Sequence, residues 1–153
     1  MISIDRPRRD DARDIDAWRR LYRGYAEFYR EPMTEQHLDL VWDWIHDATH
    51  EVEALVARDE SGAIVGLAHY RPFARPLAGA TGLFLDDLFV DPPARGQAVG
   101  ALLIETVADE ARRRGCTVVR WITADDNHRA RTLYDRLATR TMWVTYDLVP
   151  QQG

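Results

Sequence analysis

Apolar positions change their spacing several times along this chain, and each change marks an element. Ile2 and Ile4 alternate with polar neighbours and the run stops at Pro7, which predicts a short strand. Trp18, Leu21, Tyr22, Tyr25, Phe28 and Tyr29 then recur at helical spacing, with Asp14 available as the cap. Pro32 ends that stretch. A second helix opens at Thr34, followed by Glu35, with Leu38, Val41, Trp42 and Ile45 on its apolar face. From Glu51 to Arg58 the period drops to two. Asp59-Glu60-Ser61-Gly62 reads as a turn, and Ala63 to Phe73 as the other arm of an antiparallel hairpin.

Two prolines and Gly79 predict a loop from Arg71 to Thr81, and the nearly continuous apolar run Leu83 to Val90 predicts a central strand. Ala98 to Arg114 is an amphipathic helix that closes on three arginines and Gly115, residues favoured at a helix C-terminus. A strand over Thr117 to Thr123, a turn over Asp125 to Asn127 and a helix over Arg129 to Leu137 follow. Alternating Met142, Val144, Tyr146 and Leu148 predict a last strand, Thr141 to Leu148. The order is β-α-α-β-β-β-α-β-α-β, an α/β (α+β) chain with a right-handed β-α-β unit in its second half. Its length suits a single domain, residues 1–153.

Composition narrows the function. The net charge of −5 argues against nucleic acid held by bulk electrostatics and is compatible with a cationic substrate. A lone cysteine, Cys116, rules out a disulfide framework and a Cys-rich zinc site, and the five histidines show no metal-ligand spacing. The N-terminus lacks a signal-peptide core, and no run reaches the ~18 apolar residues of a membrane span, so the expectation is a cytoplasmic protein without metal or membrane.

The chemistry concentrates between Leu85 and Leu103, where an apolar strand runs through Pro92-Pro93 and an Arg/Gly stretch into a helix. Such a connection offers bare backbone N–H groups to an anion. Asp86 and Asp87 sit inside that strand, where two carboxylates are costly unless partnered or used. Alternation sends them to opposite faces unless a bulge intervenes. An arginine such as Arg71 or Arg120 could pair with one of them.

These segments resemble the GNAT superfamily of acetyl-CoA-dependent N-acetyltransferases. The family's cofactor loop, [QR]-x-x-G-x-[GA], is matched by Arg95-Gly96-Gln97-Ala98-Val99-Gly100, and N-x-x-A-x-x-L-Y by Asn127 to Tyr134. Leu85-Asp86-Asp87-Leu88-Phe89-Val90 is similar to the equivalent strand of the polyamine and histone acetyltransferase branch. The resemblance covers essentially the whole chain. It implies a central mixed, mostly antiparallel twisted sheet flanked by helices on both faces, and acetyl-CoA as co-substrate.

The resemblance also implies roles. Arg95, Gly96, Gln97, Ala98, Val99, Gly100 and Ala101 would cradle the pyrophosphate. Leu88, Phe89 and Val90 would pair their backbone with the pantetheine arm, Val90 N–H polarising the thioester carbonyl. Asn127 would hydrogen-bond the pantetheine amides, and as a turn or cap residue it has a structural use as well. Tyr134 would be the general acid and Asp86 the base, directly or through water. Asp87 would bind the acceptor's cation, with Tyr25 and Tyr29 in the acceptor wall. The acceptor is a small cationic amine or a peptidyl lysine, and a homodimer joined through the last strand is expected. Ala98 stands where the family has glycine; at a helix start its φ is expected to be negative. A non-catalytic acyl-CoA-binding regulator is the alternative on the same fold. A dinucleotide-binding domain is disfavoured, because no G-x-G-x-x-G follows a first strand.

Overall fold

The computed structural model describes residues 1–151, which fall into two compact units, Met1–Ile122 and a C-terminal unit beginning at Thr123. The first unit is built on a five-stranded sheet. Its strands are β1 (Ser3–Asp5), β2 (Glu53–Arg58), β3 (Ile64–Arg75), β4 (Ala80–Val90) and β5 (Val119–Arg120), in that spatial order. β1 to β4 pair antiparallel, and β5 pairs parallel to β4 after the crossover through a helix.

Helices α1 (Ala12–Phe28) and α2 (Glu35–His46) cover one face. There Trp18, Leu21, Leu38, Val41, Val56 and Leu67 form a continuous apolar cluster. Helix α3 (Val99–Arg113) covers the other, where Gly66 lies against Val99 and Leu103. Gly66 and Leu67 are consecutive on β3, so the bare Cα of Gly66 and the side chain of Leu67 face opposite sides and the two helical layers are separated by the sheet. Helices thus flank both faces, as the resemblance implies. Gly82 is a point of close approach: a Cβ there would lie 2.6 Å from the Phe73 ring and 2.9 Å from Val118.

Several expectations are corrected. The cap of α1 is Asp11, whose side chain accepts from the N–H groups of Arg13 and Asp14. Asp14 instead turns inward, 3% exposed, and both its oxygens accept from the Arg58 guanidinium at 2.7 Å. Two aspartates three residues apart compete for one cap, and the buried arginine takes the second. The loop foreseen from Arg71 to Thr81 shrinks to a turn at Pro76–Ala78 and Gly79, because β3 and β4 stay paired out to Arg75 and Ala80. Pro72 is accommodated within that hairpin. β2 is buried over five of its six residues rather than alternating, since helices cover both of its faces.

In the C-terminal unit, Asn127 caps α4 (His128–Leu137), accepting from Ala130 N–H. The strand foreseen over Thr117 to Thr123 is reduced to β5. The one foreseen over Thr141 to Leu148 is absent: the segment has no regular structure, and Met142, Trp143, Tyr146 and Leu148 are exposed. Alternation supplies a strand's faces but not its hydrogen-bonding neighbour.

Candidate active site

A local irregularity interrupts β4. His69 pairs with Asp87 and Tyr70 with Leu85, so Asp86 is an extra residue with no partner across the ladder, a β-bulge. The bulge frees both carboxylates from strict alternation. Asp87 sits on the α1 face, where its Oδ2 accepts from His69 Nδ1 at 2.8 Å and from the Tyr22 hydroxyl at 2.9 Å. Asp86 is held by Arg71, whose Nε reaches its two oxygens at 3.2 and 3.0 Å. The Tyr25 hydroxyl donates to the Asp86 carbonyl at 3.4 Å.

The His69 ring can be assigned a tautomer. Trp18 Nε1 lies 3.0 Å from His69 Nε2. An indole nitrogen only donates, so Nε2 accepts and the proton sits on Nδ1, donating to Asp87. His69 is therefore neutral and 1% exposed, the middle of a buried chain from Trp18 to Asp87 to Tyr22.

The two carboxylates are driven apart. Burial pushes Asp86 above the usual carboxylate range, and the Arg71 contact only partly offsets this. Burial also acts to raise Asp87, but its contact with His69 first, and those with the Tyr22 and Tyr25 hydroxyls after it, outweigh burial and hold that carboxyl below its ordinary value. Both tyrosine hydroxyls are pushed well up, by burial first and by the Asp87 charge second. Such divergence between neighbouring acids is typical of acid–base sites.

Beyond the bulge, β4 has an open edge. β5 pairs with it only at Leu83 and Phe84, so from Asp86 to Val90 the edge away from β3 carries no strand among the described residues. The chain then turns through Pro92–Ala94 and enters α3. Gly96 has φ +87° and Ala98 φ +60°, so Ala98 is left-handed, contrary to the negative φ expected at a helix start. No side chain caps α3. Arg95 N–H donates to the Pro92 carbonyl at 3.2 Å, and the N–H groups that follow it, into the first turn of α3, are the ones that fit an anion such as a pyrophosphate. Arg95 packs its guanidinium over Phe89, 5.5 Å from the ring centre, and donates to the Val90 carbonyl at 3.2 Å. An open cleft of about 840 Å³ runs between α1 and this loop, lined by Gly24, Phe28, Phe89 and Arg95 among others.

In the C-terminal unit, Asn127 and the half-buried Tyr134 are seven residues apart at the start and in the body of α4. Two helical turns place them on one face of that helix.

Residues 18–138 match the family model described as Acetyltransferase (GNAT) family. The chain belongs to the GNAT family. Among curated GNAT relatives, a D-amino-acid N-acetyltransferase of Saccharomyces cerevisiae is 31% identical over 137 residues, covering 89% of this chain and 85% of that protein. A thialysine N-epsilon-acetyltransferase of Bos taurus is 29% identical over 97 residues, covering 63% of this chain and 56% of that protein. Among solved structures, a ribosomal-protein-alanine N-acetyltransferase from Brucella melitensis biovar Abortus 2308 superposes with a TM-score of 0.80 at 22% identity, covering 97% of this chain and 99% of that one. AAC(6')-Iy in complex with the bisubstrate analogue CoA-S-monomethyl-acetylneamine gives 0.81 at 16% identity, with 99% of both chains covered. These likenesses establish the fold, and the family establishes an N-acetyltransferase that draws its acetyl group from acetyl-CoA and delivers it to an amine.

Of the residues singled out in the sequence, Asp86, Asp87, Tyr25, Leu88 to Val90 and the loop Arg95 to Ala101 lie in the first unit, and Asn127 and Tyr134 lie in the C-terminal unit. Tyr29 is 41% exposed and touches Tyr25 edge-on. His69 and Tyr22 as partners of Asp87 were not foreseen. A histidine in the apolar run of β3 is the only signal the chain offers for the first.

Proposed function

We propose that Asp86 is the general base and Tyr134 the general acid of direct acetyl transfer to a primary amine, within one acetyltransferase domain spanning the chain. When bound, acetyl-CoA supplies the activated acyl group as a thioester. The loop Arg95 to Ala101 holds its pyrophosphate on backbone N–H groups, with Asn127 on the pantetheine amides. The open edge of β4 from Leu88 to Val90 pairs with the pantetheine arm, and Val90 N–H polarises the thioester carbonyl.

Asp86 takes one proton from the acceptor ammonium, directly or through water, and its raised proton affinity suits that task. The freed nitrogen lone pair forms the C–N bond as the C–S bond breaks. Tyr134 delivers a proton to the departing sulfur, and the nitrogen's surplus proton passes to solvent. Asp87, whose Oδ2 already accepts from His69 Nδ1 and the Tyr22 hydroxyl, contributes its negative charge to the acceptor's cation, with Tyr25 and Tyr29 as the wall.

The acceptor is a small cationic amine or a lysine side chain. Relatives named for D-amino acids and for thialysine support an acceptor amine carried on an amino acid. The setting proposed is the cytoplasm and the form a homodimer; no described helix is long and apolar enough to cross a membrane.

The observation that carries this reading is the raised carboxylate bulged out beside an open strand edge. The test is CoA thiol release from acetyl-CoA over a panel of polyamines, amino acids, aminoglycosides and lysine peptides. Turnover reduced about a hundredfold or more in both Asp86→Asn and Tyr134→Phe is expected. Full activity in either variant would remove that residue from its role.

A further inference from the structure

Arg71 is engaged in an unusual way. A guanidinium usually meets a carboxylate through two parallel N–H groups, a fork against a fork. Here Nε alone serves both oxygens of Asp86, and neither Nη1 nor Nη2 has a hydrogen-bond partner among the described residues. The group is nevertheless fixed. Its central carbon lies 4.9 Å from the centre of the Phe84 ring, directly across the ladder, and its side chain is only 34% exposed. Four N–H donors are therefore held beside the carboxylate assigned as base, with no acceptor among the described residues.

We infer that the Nη groups of Arg71 bind the carboxylate of an α-amino acid, whose α-amine is the nitrogen acetylated; this rests on Asp86 receiving the amine. An α-amino acid carries its ammonium and carboxylate on one carbon, as adjacent charges of opposite sign. Asp86 and Arg71 present the complementary pair, in contact at 3.0 Å. Setting one pair against the other alternates the four charges around a closed array and satisfies the idle donors. A diamine fares worse there. It has no acceptor for the Nη groups, and its reacting cation meets an acid already neutralised by a neighbouring guanidinium. The Arg71–Asp86 pair thus selects by the carboxylate, while Asp87 and the tyrosines supply the surrounding field.

The experiment compares matched acceptors that differ only by the carboxylate: lysine with cadaverine, phenylalanine with phenethylamine, in both enantiomers of each amino acid. The wild-type protein should show kcat/KM at least about tenfold higher for the amino acid of each pair. In Arg71→Met that ratio should collapse toward one, mainly through the amino acid's KM, whatever loss is common to both acceptors. Arg71→Lys, which keeps the charge but not the fork, should fall between. Equal kcat/KM within the wild-type pairs, or an equal loss for both members in Arg71→Met, would overturn the inference and leave Arg71 as a partner of Asp86 alone. A calorimetric titration of N-acetyl-phenylalanine reads the same contact without turnover. Binding that Arg71→Met abolishes supports the carboxylate site even if no acceptor is turned over, in which case the transfer reading alone fails. Equal binding to both proteins overturns the site.

Discussion

Trp18 Nε1 donates to His69 Nε2 across 3.0 Å, and that one bond decides where the imidazole proton sits. Because it sits on Nδ1, Asp87 meets a neutral donor rather than a cation. Nitrogen-15 NMR of labelled protein at neutral pH should show Nδ1 protonated and Nε2 as the pyridine-like nitrogen. His69→Leu strands the Trp18 N–H and removes a donor from Asp87. It should cost about 2–4 kcal/mol in urea denaturation. An imidazolium signature at neutral pH would contradict the assignment.

Asp86 must be ionised to take a proton, and its affinity is raised. The acid limb of kcat/KM should therefore lie above the ordinary carboxylate range, with activity growing as pH rises through it. Stability runs the other way. A folded-state pKa above the unfolded one favours the protonated fold, so the contribution present at low pH is lost as pH rises. Asp86→Asn should abolish the acid limb while holding or raising Tm, a separation of activity from stability common at catalytic groups. A Tm well below wild type would show that the ion pair with Arg71 is principally structural.

Asp14 and Arg58 are both almost fully buried, and Arg58 also donates to Asp5 at 2.7 Å. Arg58 hydrogen bonds hold Asp14 below its ordinary value despite burial. Its stabilisation is therefore complete above the ordinary aspartate range and is lost as pH falls through the lowered value. Asp14→Ala leaves a buried guanidinium short of its partner and should cost about 3–5 kcal/mol. Asp14→Leu combined with Arg58→Met should recover much of that loss. Chemical denaturation of the two variants at pH 7, and of the wild type down a pH series, checks both statements.

Ala98 holds a left-handed backbone that costs a residue with a Cβ about 1 kcal/mol. Ala98→Gly should recover most of this. For a chain of this size that raises Tm by about 2–4 °C per kcal/mol. The KM for acetyl-CoA should not rise, since the N–H groups keep their places. A lower Tm would mean that the loop's conformation differs from the left-handed one.

Six large apolar side chains between Met142 and Val149 are exposed, including Trp143 at 86%. A homodimer joined through this segment, as proposed, should give twice the chain mass in light scattering after gel filtration. Trp143→Asp together with Tyr146→Asp should return the single-chain mass. A wild-type protein at the single-chain mass would discard the dimer.

Much of the frame was legible in the chain. Pro7, Pro32, the Asp59–Gly62 turn and Asn127 mark boundaries through local chemistry, and the structure puts element ends within a few residues of each. What was not legible depends on partners distant in sequence. Nothing near Asp14 reports Arg58, which comes from another element 44 residues on. Nothing near His69 reports Trp18, 51 residues earlier. The end of the β3–β4 hairpin was hidden by Pro72, Pro76 and Gly79, whose turn propensity is overridden by pairing on both sides. Ala98 caps α3 rather than opening it, and a cap residue is free of helical φ, which composition alone does not reveal.

The bulge at Asp86 is a single residue that the sheet does not need. Remove it, and Leu85 still faces Tyr70, Asp87 still faces His69, and the ladder becomes regular on both sides. Scaffold and reactivity are thus separable by one codon. With Asp86 as the proposed base, an in-frame deletion there should keep the fold and lose the transfer. The insertion is the kind of change by which an ordinary hairpin could acquire a base in one step, with its hydrophobic faces left undisturbed.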